Sequence, residues 1–141
     1  MIFVDTNYFL RYLLHDNEEQ YLVASSLFEE GATGKKGLFT STIVIFELQW
    51  VLASVYAKQK TDILPILKSV MSSLSFVFIE ERALLEEALR LYEKENISLA
   101  DCYNLLTAQK RKAESFATFD QRLLKLYPTL SDPRRTGVVV G

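Results

Sequence analysis

The sequence predicts an α/β layered fold with a mainly parallel sheet. Two observations carry that expectation. Apolar, β-rich runs of only three or four residues recur along the chain: Ile2-Phe3-Val4, Leu38-Phe39-Thr40, Phe76-Val77-Phe78-Ile79 and Phe116-Ala117-Thr118. Between them lie longer segments with apolar residues at helical spacing, and strands alternating with helices assemble as parallel sheets.

Taken in order, Ile2-Phe3-Val4 reads as a buried strand that stops at Asp5-Thr6-Asn7, where a polar turn starts an apolar helix. Glu18 to Glu30 is a helix with Tyr21, Leu22, Ser25, Leu27 and Phe28 as its inner face, and Gly31 and Gly34 are expected to end it. After the strand Leu38–Thr40, Thr42 is the candidate N-cap of a long apolar helix from Ile43 to about Tyr56. A further helical segment covers Asp62 to Leu74, with Pro65 near its first turn. Phe76–Ile79 is the next strand. Leu84, Leu85, Ala88, Leu91 and Tyr92 then mark an amphipathic helix over Arg82 to Glu95. Ser98 and Asp101 form an S-x-x-D pattern before a helix from Cys102 to Lys112, and Phe116–Thr118 is a third core strand closed by Phe119-Asp120. The stretch from Pro128 to Gly141 ends in Val138-Val139-Val140 and reads as an edge strand or a tail.

The 141 residues fit one domain, residues 1–141, and a 49 % hydrophobic composition is ample for a core without disulfides. Cys102 stands alone and cannot form an internal disulfide, which points to a reducing cytoplasm. The densest apolar region, Ile43 to Ala57, is interrupted by Glu47 and Gln49 and falls short of the ~20 residues of a membrane span. No positively charged leader precedes the first strand, so no signal peptide is expected. A net charge of −2 argues against a broadly basic nucleic-acid binder. Setting aside four of the 18 acids leaves 14 against 16 cations, a net of +2. Cations cluster at Lys35-Lys36, Lys58 with Lys60, Lys110-Arg111-Lys112 and Arg134-Arg135; any one cluster alone reads as a solvated face.

Those four acids are Asp5, Glu47, Asp101 and Asp120. In an open parallel sheet, ligands bind beyond the carboxyl ends of the strands. Asp5 and Asp120 each follow a strand, and Asp101 starts a helix. Each has a plain alternative as a turn former, a helix cap or a capping-box partner of Ser98. Glu47 lies inside a strongly apolar helix, where a carboxylate is rarely buried without a partner. Converging carboxylates repel one another unless a cation offsets them, and a hard Mg²⁺ or Mn²⁺ favours such oxygens. One His and one Cys do not make a usual zinc site. The chemistry then available is metal-assisted attack of water on a phosphodiester. His15 without a G-x-S-x-G excludes a usual serine hydrolase, and no Gly-rich phosphate loop occurs. His15 is expected at the end of the first helix and Cys102 in packing.

The same residues resemble the PIN-domain nucleases, and within them the VapC-like toxins of toxin–antitoxin pairs. The resemblance runs to about Leu126 through "IFVDTNYFLRYLL", "TIVIFELQWVLAS", "ISLADCYNLLTAQ" and "SFATFDQRLLKL". It implies a three-layer α/β/α sandwich and endonucleolytic cleavage of RNA by a metal-holding quartet of Asp5, Glu47, Asp101 and Asp120. Asp5 and Asp101 are the strongest expected direct ligands, with Glu47 and Asp120 acting through water or as base. Asn7 and Thr118 match polar positions that support a carboxylate or a water. Lys35, Lys36, Arg111 and Lys112 are expected to guide the RNA backbone. The resemblance also implies a homodimer and a small protein antitoxin. For surfaces of that kind Tyr8, Trp50 and Tyr56 are candidates, although their helical spacing favours the core. Cys102-Tyr103 and the tail after Pro128 depart from the family pattern. A catalytically silent PIN-like module binding RNA or protein is the main rival, and a housekeeping RNA-processing nuclease would read alike. A haloacid-dehalogenase-like phosphatase is remote, because Asn7 stands where its second Asp is needed.

Overall fold

A computed structural model of the chain describes residues 1–132, so Arg134-Arg135 and Val138–Val140 lie outside the described residues. The chain forms two compact units, Met1–Arg82 and Ala83–Gly141.

The first unit is built on a three-stranded parallel sheet in the order β1 (Ile2–Phe3), β2 (Leu38–Thr40), β3 (Val77–Ile79). Ile2 pairs with Leu38 and Leu38 with Val77; one step on, Phe3, Phe39 and Phe78 align. Because side chains alternate across a strand, this register sends Leu38, Thr40, Val77 and Ile79 into the core. It also puts Phe3 and Phe78 on a face that stays largely exposed, with Phe3 meeting Phe39 edge-on at 5.3 Å. The ladder continues past β1, where the Val4 amide donates to the Phe39 carbonyl at 2.8 Å. The buried Thr40 hydroxyl donates to the Val4 carbonyl at 2.7 Å, which holds the chain against β2 as it approaches Asp5.

Four helices complete this unit: α1 (Thr6–Leu14), α2 (Glu18–Ala32), α3 (Thr42–Ser54) and α4 (Lys60–Ser73). Phe9, Phe28, Ile45, Leu48, Leu52, Ile63 and Leu67 are almost completely buried and form the core with the strands. Burial of each such side chain contributes about 1.5–3 kcal/mol. α1 ends at His15 in the left-handed conformation (φ 50°), as a residue at the helix end; its ring stacks on Tyr21 at 3.5 Å and meets Glu18 at 2.7 Å.

The second unit contains α5 (Arg82–Lys94), α6 (Leu99–Lys110), α7 (Gln121–Leu126) and a 3-10 turn over Tyr127–Ser131. Leu84, Leu85, Ala88, Leu91 and Tyr92 are buried as the heptad-like pattern of α5 predicts. Cys102 is a fully buried packing residue. No described helix is long and apolar enough to cross a membrane.

Several local expectations need correction. Phe116–Thr118 is not a strand: it pairs with none of the described strands, and Ala117 and Phe119 are exposed. A three-residue run has β structure only where a sheet edge accepts its hydrogen bonds, and composition alone does not supply that edge. α3 is capped by Ser41, whose extended backbone directs its hydroxyl to the Val44 amide at 3.4 Å. The Thr42 hydroxyl instead donates to the Glu80 carbonyl at 2.8 Å, tying the start of α3 to the end of β3. Gly31 does not end α2; it lies within the helix, close against Leu38 and Phe76. Leu22, assigned to the inner face of α2, is exposed, and Ala24 takes the buried position beside Phe28. Pro65 lies inside α4 rather than in its first turn. α6 starts at Leu99, ahead of the expected Cys102, because Ser98 caps it. Tyr8 and Trp50 are exposed rather than core.

Candidate functional site

Asp5 leaves the end of β1 and becomes the N-cap of α1. Its backbone is extended (φ −88°, ψ 167°) and its Oδ1 accepts from the Thr6 amide at 2.8 Å. The expectation of a turn-forming cap is therefore met, and the side chain remains exposed. A cap engages one carboxylate oxygen. Oδ2 has no protein partner among the described residues.

Glu47 belongs to the second turn of α3. The apolar surroundings in sequence suggest burial, but the helix turns this residue outward and Glu47 is exposed. Its Oε2 accepts from the Thr6 hydroxyl at 2.7 Å. Thr6 itself is buried at 7 % exposure. One residue thus holds a carboxylate with its amide and another with its hydroxyl, bringing together two acids that stand 42 positions apart in the chain. Sequence reading passed over Thr6, since a bond spanning 41 residues leaves no local pattern.

Asn7 is exposed on α1 and lines a surface cleft of about 500 Å³ with Tyr8, Arg11 and residues of α2. Arg11, one turn further along the same face, is held by Asp16 at 2.8 Å and the Tyr56 hydroxyl at 3.4 Å. The hydrogen bond to Arg11 holds the Asp16 carboxyl below its usual pKa, and the same bond raises that of Arg11.

In the second unit, Asp101 is half-buried in the first turn of α6, where its amide donates to the Ser98 hydroxyl at 3.0 Å. Asp120 is the N-cap of α7. Its Oδ1 accepts from the Arg122 amide at 2.9 Å, and its own amide donates to the Thr118 hydroxyl at 3.1 Å. Thr118 therefore shapes the turn that presents Asp120. The Arg122 guanidinium also grips both Asp120 oxygens, Nε to Oδ1 at 3.2 Å and Nη2 to Oδ2 at 2.9 Å. Those side-chain bonds hold the Asp120 carboxyl below its usual range. Arg122 is correspondingly raised, first by its bond to Asp120 and in lesser part by the charge of Asp101.

The structure brings Asp5 and Glu47 together through Thr6 in the first unit, while Asp101 and Asp120 each lie at the start of a different helix in the second. Within each unit, no three His, Cys, Asp or Glu side chains among the described residues are gathered closely enough to hold a metal ion. The donors are nevertheless all carboxylate oxygens, the type that suits Mg²⁺ or Mn²⁺ rather than zinc. In the first unit they are held by neutral donors that leave the charge of the acids intact.

A parallel α/β sheet with an acid at the end of its first strand and further acids opening helices defines a family of known architecture. The chain belongs to the PIN domain family, whose description matches residues 2–127. Its short parallel sheet and abundant helices are those of a PIN domain fold. It is also similar to a VapC ribonuclease of Aquifex aeolicus (strain VF5), with 28 % identity over 126 residues, covering 89 % of this chain and 92 % of that protein.

Proposed function

We propose that this protein is a metal-dependent endoribonuclease and the toxin of a toxin–antitoxin pair. The observation that carries the reading is Thr6, which holds Asp5 and Glu47 together just beyond the end of β1. The PIN domain family and the likeness to a VapC ribonuclease support the same reading. The two units are proposed to act as one nuclease domain, with Asp5, Glu47, Asp101 and Asp120 as the acids that hold Mg²⁺ or Mn²⁺.

A bound divalent cation would supply Lewis acidity toward water and phosphate oxygens. The chain's own residues do the remainder. Asp5 keeps its Oδ2 for coordination while its Oδ1 serves α1. Glu47 is steadied through Oε2, which leaves Oε1 to coordinate or to accept a proton from the attacking water. Asp120 is oriented by the Thr118 turn and offset by Arg122, whose guanidinium suits a phosphate oxygen when the nucleic acid arrives. Exposed cations at Lys35, Lys36, Arg111 and Lys112 are assigned to the RNA backbone, where each contact adds affinity that falls with salt. A homodimer and a small protein antitoxin in the cytoplasm complete the proposal, on family grounds.

The test is cleavage of labelled single-stranded RNA with Mg²⁺ or Mn²⁺ and with excess EDTA, beside Asp5→Asn. Cleavage that requires metal and disappears in the variant supports the reading. Neither cleavage nor metal binding by the parent would overturn it in favour of a silent binding module.

A further inference from the structure

We infer that Thr6 is a positioning residue of the metal site: its hydroxyl presets the Glu47 carboxylate for the cation, at the same time as its amide presets Asp5. The inference rests on the proposed metal-dependent function and adds a residue to it.

Three facts support this. Thr6 is the first residue of α1, where a backbone amide has no partner inside the helix; here that amide goes to Asp5 Oδ1 at 2.8 Å. The hydroxyl has a single proton, and at 2.7 Å that proton is committed to Glu47 Oε2, a short bond of the kind made to an ionised oxygen. Thr6 is also buried, two residues beyond the fully buried Val4, while Glu47 is an exposed residue on a long side chain. A mobile carboxylate is therefore tethered to an immobile hydroxyl. Threonine's restricted side-chain rotation strengthens the effect, because the β-branch limits the directions in which the hydroxyl can point.

The purpose of such a tether is preorganisation. A free glutamate must lose side-chain freedom when it coordinates, whereas a tethered one has already lost it. Oε2 accepts the Thr6 proton, which leaves Oε1 free of that bond and available to coordinate. Hydrogen bonds of this type to metal-binding carboxylates typically change affinity by about 10–100-fold.

The experiment compares the parent with Thr6→Val, Thr6→Ser and Glu47→Ala. It measures Mn²⁺ affinity by calorimetry, the melting temperature without metal, and RNA cleavage against Mn²⁺ concentration. Valine keeps the shape and removes the donor; serine keeps the donor and removes the methyl. Thr6→Val is expected to weaken Mn²⁺ about 10–100-fold and to shift the cleavage curve to higher Mn²⁺, with activity recovering near saturation. Thr6→Ser is expected to stay within about threefold of the parent. In the Glu47→Ala background, Thr6→Val should change the affinity less than about twofold, since the bond is already gone. Should Thr6→Val fail to fold, Thr6→Ala and Thr6→Ser give the same comparison. Parent-like Mn²⁺ affinity in Thr6→Val, or a Thr6→Ser as weak as Thr6→Val, overturns the role of the hydroxyl. A parent that binds no Mn²⁺ overturns the metal reading itself, which separates the two failures.

Discussion

Glu47→Gln and Glu47→Ala separate what this residue does for folding from what it does for chemistry. Glutamine keeps an oxygen for the Thr6 hydroxyl at nearly the same place, so only the ionic part of the 2.7 Å bond is lost. A hydrogen bond to a charged partner is worth about 1.5–3 kcal/mol and a neutral one about 0.5–1.5. The low ends of these ranges differ by about 1 kcal/mol; Glu47 is exposed, solvent screens the ionic part, and the expected cost of glutamine is about 0.5 kcal/mol. Alanine removes the acceptor and leaves the buried Thr6 hydroxyl with poor access to water, at a cost of about 1–1.5 kcal/mol. For a chain of this size those figures correspond to roughly 2 °C and 3–5 °C in melting temperature. Cleavage is a different matter. Either variant removes a charge from the proposed cation site, and both should lose at least about 10²-fold in rate, or ~2.7 kcal/mol. The assay is thermal denaturation without metal beside RNA cleavage at fixed Mn²⁺. Glutamine with parental cleavage would refute the role of Glu47 in the chemistry, and alanine with parental melting would refute the structural value of the Thr6 bond.

Gly31→Ala tests the close approach of α2 to the sheet. A Cβ there would stand 2.5 Å from Leu38 Cδ1 and 3.0 Å from Phe76 Cδ2, so overpacking of about 1–3 kcal/mol should outweigh the helix-propensity gain of about 1. The variant should melt below the parent; a higher melting temperature would show that Leu38 yields freely. Leu48→Ala, at a fully buried position of α3, should cost about 2–5 kcal/mol in denaturant unfolding. A loss under about 1 kcal/mol would contradict the packing described. Asp16 titrates below the usual ~3.9 because Arg11 is hydrogen-bonded to it. A lowered folded pKa contributes stability above the unfolded pKa, and that contribution is lost as pH falls through the folded value. Carbon NMR of Arg11→Gln should therefore show the Asp16 midpoint moving upward, and an unmoved midpoint would exclude Arg11 as the cause.

The strand runs at Ile2, Leu38 and Phe76 were legible because three or four apolar, mostly β-branched or aromatic residues between polar turns have few other uses. Pairing was not. Phe116–Thr118, with Ala117 at its centre, resembles the others in its Phe and Thr and makes no ladder, since a strand exists through its neighbour and the neighbour is not written in the run. The surface of α3 was equally obscure. Its sequence is apolar all round, so no periodic stripe tells that Leu48 and Leu52 face the core while Ile43, Glu47 and Trp50 face outward. Asp5 at a strand end and Asp101 at a helix start occupy the places read for them, whereas Asp120 was read as following a strand and instead caps α7 after a loop. Thr6 could not be read at all, because what distinguishes it is a contact across 41 positions.

Capping and coordination, which looked like competing explanations for these acids, are compatible uses of one side chain. A carboxylate has two oxygens, and an N-cap needs one. Asp5 gives Oδ1 to the Thr6 amide, a neutral donor that fixes the side chain without cancelling its charge. Glu47 is likewise fixed by a neutral hydroxyl. Asp120 differs, since Arg122 takes both of its oxygens and supplies a full positive charge. Arg122 is exposed and Asp120 is about one-third exposed, and an ion pair so open to solvent is worth at most about 1 kcal/mol, little to oppose a competing ion. The two units therefore hold their acids in different states of readiness. Asp5 and Glu47 are oriented and uncompensated, whereas Asp120 is oriented and neutralised until Arg122 finds another anion. Under the proposed function an incoming RNA phosphate would be such an anion, and binding it would release Asp120 as substrate arrives.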